Sequence, residues 1–327
     1  MRDLVSILVP AYNSAEWLSE TITCVLKQTW TAKEIIIVDD GSTDDSLAIA
    51  RSFKKRGVRI ISQENKGACA ARNRALAEAN GDYIQFLDAD DLMARNKIEV
   101  QVRRLKKEPE GTIAAAKWER FYNDPGEADL EAINFREKPY YGDRSEGIEW
   151  ALDAAAHRAM MPSHSWLVPR EVVEKAGPWN ESLLINQDGE YFNRISIASS
   201  GVAFCPKARV YYRSGIENSV SNRKEPAALA SKYRSVKCIT EQLLAAENSQ
   251  RSRLASAIAF QRCAYSVYPK MPDIAEKALK QAKKLGGAPS YYPKGSKAYQ
   301  ILHDVLGWRK AKWLRHWYYR IRYDKEI

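Results

Sequence analysis

Four short apolar runs alternate with helix-period segments in the first hundred residues, and this alternation limits the fold more than any other feature of the chain. The runs are Leu4–Val9, ended by Pro10, then Glu34–Val38, Val58–Ile61 and Tyr83–Leu87. The second is almost wholly apolar and β-branched, as a strand covered on both faces must be. Between the runs, Leu18, Ile22, Val25 and Leu26 recur at helical spacing within Ala15–Gln28. Leu47, Ala50 and Phe53 continue a second helix, whose start Ser42 and Asp45 are placed to cap, and Ala68–Ala79 forms an alanine-rich third. Repeated strand–helix–strand order predicts an α/β fold with a mostly parallel sheet flanked by helices. Ligands in such folds bind at the carboxyl ends of the strands. Those ends carry Pro10-Ala11-Tyr12-Asn13, Asp39-Asp40-Gly41-Ser42 and Asp88-Ala89-Asp90-Asp91.

Composition excludes several classes. Hydrophobic residues make up 45% of the 327, enough for a sizeable core and too many for general disorder. No apolar stretch approaches the ~18 residues of a membrane span. The amino terminus reads as a strand running into a turn, without the small-residue cleavage site of a signal peptide. Five scattered cysteines with no CxxC pair argue against a disulfide framework or a structural zinc site and favour a reducing, cytoplasmic compartment. Charge is unevenly spread: residues 216–327 hold 22 basic and 9 acidic side chains, against 29 and 32 in residues 1–215, or net +13 against −3. We therefore expect two parts, 1–215 and a basic helical region over 216–327, the latter suited to phosphates, anionic lipid or nucleic acid. Residues 123–147, rich in Gly, Pro, Asp and Glu, read as a long excursion.

Three carboxylates within four residues at 88–91, directly after an apolar strand, repel one another unless a cation offsets them. Oxygen-only ligands suit Mg²⁺ or Mn²⁺, which keeps positions open for substrate phosphates. The alternative is that Asp90 or Asp91 caps a helix beginning near Leu92. Asp39, on the neighbouring strand end, could accept an N–H from a nucleobase. Lys66 and Gly67 stand where a cation and a bare backbone could meet a phosphate or base, and Arg72 is either part of that site or a solvated helix charge. There is neither a GxGxxG after the first strand nor a GxxxxGK[ST], which argues against a dinucleotide dehydrogenase and a P-loop NTPase. No Ser/His/Asp or Cys/His nucleophilic set is visible.

Val9-Pro10-Ala11-Tyr12-Asn13, Ile37-Val38-Asp39-Asp40-Gly41-Ser42-Thr43-Asp44, Asn65-Lys66-Gly67 with Ala71-Arg72-Asn73, and Gly81-Asp82-Tyr83-Ile84 with Phe86-Leu87-Asp88-Ala89-Asp90-Asp91 together resemble the nucleotide-sugar half of glycosyltransferase family 2. The resemblance covers about residues 1–215 and implies a GT-A fold and an inverting, hexosyltransferase-type enzyme. It implies that Pro10 and Tyr12 line the nucleotide pocket, that Asp39 bonds the base, and that Arg72 lies near base or diphosphate. Asp88-Ala89-Asp90 would be the DxD motif, with Asp90 the metal ligand and Asp88 contacting ribose or metal-bound water. Ala176-Gly177-Pro178-Trp179-Asn180-Glu181 and Gln187-Asp188-Gly189-Glu190 resemble the segment around the catalytic base, with Gln187 where the family usually has Glu. Asp188 is then the base and Glu190 the fallback, unless Asp188 merely caps the following helix. Tyr211-Tyr212-Arg213, with Ser219 and Ser221, resembles the loop that closes over the diphosphate, but Gly215 and Ile216 stand where many members carry a metal-binding His. His164 either contacts acceptor or diphosphate or is structural.

The reading that follows is transfer of a sugar from a nucleotide-sugar, a UDP-sugar by preference, to a saccharide acceptor, free or lipid-linked, as in surface-polysaccharide assembly. The competing readings are a sugar-1-phosphate nucleotidyltransferase and a non-catalytic binding protein of the same fold. In Gly307–Asp324, Trp308, Trp313, Trp317, Tyr318, Tyr319 and Tyr323 alternate with Arg309, Lys310, Lys312, Arg315, Arg320 and Arg322. Helical spacing places Trp313, Leu314, Trp317, Tyr318 and Ile321 on one side and Lys312, His316 and Arg320 on another. This segment either packs its aromatics on the body, lies at the inner face of an anionic membrane, or grips a charged acceptor or nucleic acid, the last being the least expected.

Overall fold

The computed structural model describes residues 3–122, 130, 132–157, 159–216, 223–288 and 296–323. The chain divides into two compact units, Met1–Asn222 and Arg223–Ile327.

In the first unit, strands β1 (Val5–Ala11), β2 (Lys33–Asp40), β3 (Val58–Gln63) and β4 (Tyr83–Phe86) alternate with helices α1 (Ala15–Leu26), α2 (Ser46–Ser52) and α3 (Ala68–Ala77). A two-residue strand β5 (Leu92–Met93), helix α4 (Lys97–Leu105) and strand β6 (Thr112–Phe121) follow. Helix α5 (Gly147–His157), strand β7 (Trp166–Pro169), helices α6 (Arg170–Ala176) and α7 (Gln187–Ala198), and strand β8 (Gly201–Arg213) complete the unit. The eight strands form one sheet in the order β3-β2-β1-β4-β7-β6-β8-β5. The β3-β2-β1-β4 half is parallel throughout, and β6 and β8 also run parallel. β7 is antiparallel to both β4 and β6, and β5 is antiparallel to β8, so the sheet is mixed. The α/β expectation holds, with helices on the sheet and further helices in the second unit.

β1 is buried at every position and carries the centre of the core. Pro10 does not end it. Beyond the Leu8–Phe86 register pair β1 has no partner on its β4 side, and a one-sided strand tolerates a residue without an N–H. β2 and β4 flank β1 on opposite sides, so the strand order switches at β1, and the carboxyl ends around it are where ligands of such sheets bind.

Two expectations of helix capping are corrected. α2 begins at Ser46, not near Ser42, because the Ser42 hydroxyl accepts from the Asn13 backbone N–H at 3.1 Å and Asp44 takes the Ser46 N–H at 2.9 Å. Nor does a helix start at Leu92: that residue and Met93 pair with Tyr211 and Val210 of β8, and α4 starts five residues later. The described part of the 123–147 excursion packs on β6. Arg136 forks onto Glu119 at 3.0 and 3.1 Å, and the Tyr141 hydroxyl donates to the Trp118 carbonyl at 3.0 Å.

The second unit holds α8 (Pro226–Ala246), α9 (Gln250–Val267), α10 (Pro272–Lys284) and α11 (Lys297–Tyr323). Its core is built mostly from small side chains, with Ala257, Ala264, Ala275, Ala278 and Ala282 buried around Phe260 and Val267. α11 is interrupted at Gly307, whose φ of 75° and ψ of 156° are not helical.

Candidate active site

The loops after β1 and β2 are stitched together. Asn13 accepts the Thr43 N–H at 2.8 Å while its own N–H reaches Ser42, and Tyr12 next to it is half-exposed. Asp39 and Asp40 are both buried but differ in use. Asp40 accepts from the Gln63 amide at 2.7 Å and from the backbone N–H groups of Lys66 and Gly67 at 3.0 and 2.8 Å, so it shapes the 65–67 loop. That approach is close enough to require glycine at 41: φ is +72°, and a Cβ would stand 2.8 Å from the Asn65 nitrogen. Among the described residues Asp39 receives one long side-chain bond, from Ser62 at 3.4 Å, and its buried Oδ1 has no partner. A buried acceptor left open in this way costs stability unless a ligand donor fills it. The Lys66 side chain is exposed.

After β4, the three carboxylates of 88–91 have separate fates. Asp88 is bonded by Arg72 at 2.7 Å and touched by the Ser163 hydroxyl at 3.4 Å. Burial pushes its carboxyl up, but Arg72 outweighs burial and holds it below the ordinary range. Asp91 is fully buried, takes the Arg213 backbone N–H at 2.8 Å, and faces His164 Nδ1 at 3.1 Å. His164 is fully buried as well, so it supports the loop from behind. Asp90 makes no ion pair among the described residues. Burial, then the charges of Asp91 and Asp88, raise its carboxyl well above the usual range. A cation beside Asp90 would oppose both causes. Among the described residues no three His, Cys, Asp or Glu side chains form a ready-made cage. A divalent ion held by Asp90, with Asp88 at its edge and the remaining positions left to a diphosphate, fits this donor set.

Arg72 is not a solvated helix charge. It is buried over the Trp179 ring at 4.5 Å, and its second Nη donates to the Gln187 side-chain oxygen at 3.2 Å. Its neighbour Asn73 pins the Trp179 backbone through bonds of 2.7 and 3.0 Å. Trp179 itself stacks on Tyr191 at 4.0 Å and meets Phe86 edge-on at 5.2 Å, a rigid aromatic floor. Arg72 thus ties the end of β4 to the start of α7. Asp188 lies there, its carboxyl raised by burial against the opposing pull of the Gly189 N–H and Arg72. Asp188 does not cap α7, whose N-cap is Asn186: it is the second residue of the helix, and its raised value agrees with a base.

Two predicted residues sit elsewhere. Glu190 is buried and gripped by Arg194 through two bonds of 2.9 Å, which leaves the fallback base committed to an ion pair. Arg213 is buried under the 88–91 loop. It donates to the Asp90 carbonyl at 2.8 Å and to Glu20 at 2.5 Å, and it packs over Trp17 and Phe121 at 4.3 Å each. It buttresses the loop rather than offering an open cation. Ser219 and Ser221 lie outside the described residues. Sequence reasoning missed Ser163, Glu20 and Trp17 altogether. None of these carries a local signal, since each acts on a residue 75 or more positions away or on a ring contact that only folding creates.

Residues 6–165 match the family model described as Glycosyl transferase family 2. The chain is similar to the glycosyltransferase GlyG of Streptococcus pneumoniae, 42% identical over 109 residues, 32% of this chain and 36% of that protein. It is similar to WfgD of Escherichia coli, a UDP-Glc:alpha-D-GlcNAc-diphosphoundecaprenol beta-1,3-glucosyltransferase, 40% identical over 105 residues, 32% of this chain and 42% of that one. The chain spans well under half the length of the curated relatives it matches. In fold it resembles Staphylococcus aureus TarS 1-349, solved with UDP-GlcNAc, with a TM-score of 0.69 at 16% identity over 94% of this chain and 90% of that one. It also resembles the mannosyltransferase PcManGT of Pyrobaculum calidifontis, solved with GDP-Man and Mn²⁺, with a TM-score of 0.54 at 17% identity over 98% and 88%. The motif order, the GT-A-like sheet and these matches agree that residues 6–165 are similar to a glycosyltransferase family 2 domain.

Proposed function

We propose that the chain transfers a sugar from a UDP-sugar to a saccharide acceptor carried on a lipid diphosphate, with inversion at the anomeric carbon. The observation that carries this reading is the bridge through Arg72, which joins Asp88 at the donor side to Gln187, the neighbour of Asp188. Asp39 offers its open Oδ1 to a base N–H, and Tyr12 offers a ring for stacking. Asp188 takes the proton of the acceptor hydroxyl as that oxygen attacks the face opposite the leaving group. The buried surround raises its basicity at the moment of transfer. Mg²⁺ or Mn²⁺ on Asp90 would supply Lewis-acid stabilisation of the departing nucleoside diphosphate. The name of one relative, WfgD, supports an acceptor carried on a lipid diphosphate; action at the inner face of a membrane is part of the same proposal, and no helix among the described residues is long and apolar enough to cross one.

The test measures UDP release and product formation from a panel of UDP-sugars with Mn²⁺ or Mg²⁺. We expect chelation to abolish both. Asp188→Asn should retain UDP affinity, read by calorimetry, and lose about 10²–10⁴-fold in transfer. Retained transfer in that variant removes Asp188 from the mechanism, and no release from any nucleotide-sugar removes the activity.

A further inference from the structure

The carboxyl-terminal helix has one face that is fastened and one that is not. After the interruption at Gly307, Ala311 is fully buried, Trp308 packs on Tyr265 and Tyr268 of α9 at 5.7 and 5.4 Å, and Arg315 lies over Tyr299 at 5.0 Å. Lys312, expected to line up with His316 and Arg320 on a polar face, instead reaches the Tyr265 carbonyl and covers its ring. These contacts set the helix's rotation. At 3.6 residues per turn the opposite face then carries Trp313, Trp317 and Ile321 at i, i+4 and i+8. All three are exposed, by 49, 54 and 64%, and the two indoles stack in parallel at 6.4 Å.

A soluble protein rarely leaves two tryptophans and an isoleucine in one uncovered row. The flanks of the row say what covers it. Arg309, Lys310 and Arg320 border it, all exposed, and Arg322 follows on the next turn. From Trp308 to Arg322 there are six Lys or Arg residues and no Asp or Glu. An acidic protein surface would meet the cations but not the indoles. An apolar protein groove would meet the indoles but leave the cations desolvated. An anionic bilayer surface meets both, because indole rings settle at the headgroup level while cations pair with lipid phosphates around them. We propose that this face of α11 docks on an anionic phospholipid surface, with Trp313, Trp317 and Ile321 entering the headgroup region and Arg309, Lys310 and Arg320 paired to phosphates. Gly307 turns the helix before this segment, so the docking face starts afresh after the break. The proposal stands whether or not the transferase reading holds, since nothing in it depends on the site around Asp88.

Flotation of the full chain with vesicles of phosphatidylcholine alone, or of phosphatidylcholine with phosphatidylglycerol, tests it. Binding should appear only with the anionic vesicles and weaken in high salt. The pair W313A/W317A and, separately, the triple R309E/K310E/R320E should each lower the bound fraction's affinity at least about tenfold. All five positions are exposed, so circular dichroism should be unchanged, and UDP-sugar turnover in detergent-free solution should stay at the level of the parent chain. Equal flotation with both vesicle types, no flotation with either, or binding that neither variant alters overturns the proposal. So does a dimer in lipid-free buffer that W313A/W317A dissolves, because the face would then belong to a second copy.

Discussion

The two units handle charge in opposite ways. In the first, charged groups are drawn inward and answered individually: Asp88 by Arg72, Asp91 by the Arg213 N–H, Glu190 by Arg194 and Glu119 by Arg136. In the second, cations crowd the outer face of α11 beside uncovered indoles. The cores differ as well. The first rests on Trp166, Trp179, Tyr191 and Phe86, the second on alanines that let helices approach closely. Buried, paired charge serves to hold a few oxygens in fixed places, which is what chemistry on one bond requires. Unburied charge of one sign serves to find a surface, for which position matters less than sum.

The largest test of this contrast is the acidity of the proposed base. Asp188 acts only when ionised, and burial raises its carboxyl above the ordinary aspartate value. Turnover at saturating substrates should therefore fall about tenfold per pH unit below that raised value, and the fall should begin at a higher pH than an exposed aspartate would give. A profile flat down to the ordinary carboxylate range would show that the first unit's enclosure does not tune its chemistry.

Next in size is the difference between cores. Trp179→Ala empties space beneath Arg72 and should cost about 3–5 kcal/mol, whereas Ala264→Leu, at a position with no room, should cost about 1–3 kcal/mol. Urea titrations read both. If enlarging Ala264 were neutral, the close packing of α9 and α10 would be looser than their buried alanines imply.

The smallest effect concerns Lys312. Burial, and then Lys232 and Arg315 nearby, lower its ammonium from 10.5 to about 7. The folded state therefore holds the proton less tightly than the unfolded chain, so unfolding takes up a proton between about pH 7 and the ordinary lysine value. Stability should rise with pH through that window, seen as a rising melting temperature, and Lys312→Met should flatten the rise. An unchanged slope would place the titration elsewhere.

Legibility from sequence followed the distance over which residues act. The strand ends are readable because Asp39 lies at the end of β2's register, while Tyr12 and Asp88 stand just after β1 and β4. The pairings that complete the site are not. Arg72 reaches Gln187 across 115 positions, and Arg213 reaches Glu20 across 193. The far half of the sheet was equally silent. Thr112–Phe121 contains three consecutive alanines and alternating charges, with no β-branched run. It becomes a strand because β7 and β8 pair with it on either side. The Ser42 and Asp45 capping pattern misled for a related reason: Asn13, nearly thirty residues earlier, claims the serine.

Arg72 has one guanidinium and two obligations. One nitrogen serves a carboxylate at the mouth of a strand, the other an amide at the head of a helix. A ligand that pulls on the carboxylate must therefore tug the helix or release it, so arrival on one flank is mechanically felt on the other. With glutamine instead of glutamate at 187, that linkage is one 3.2 Å hydrogen bond from the guanidinium to an uncharged amide oxygen, weaker than the ion pair a glutamate would make and easier to release.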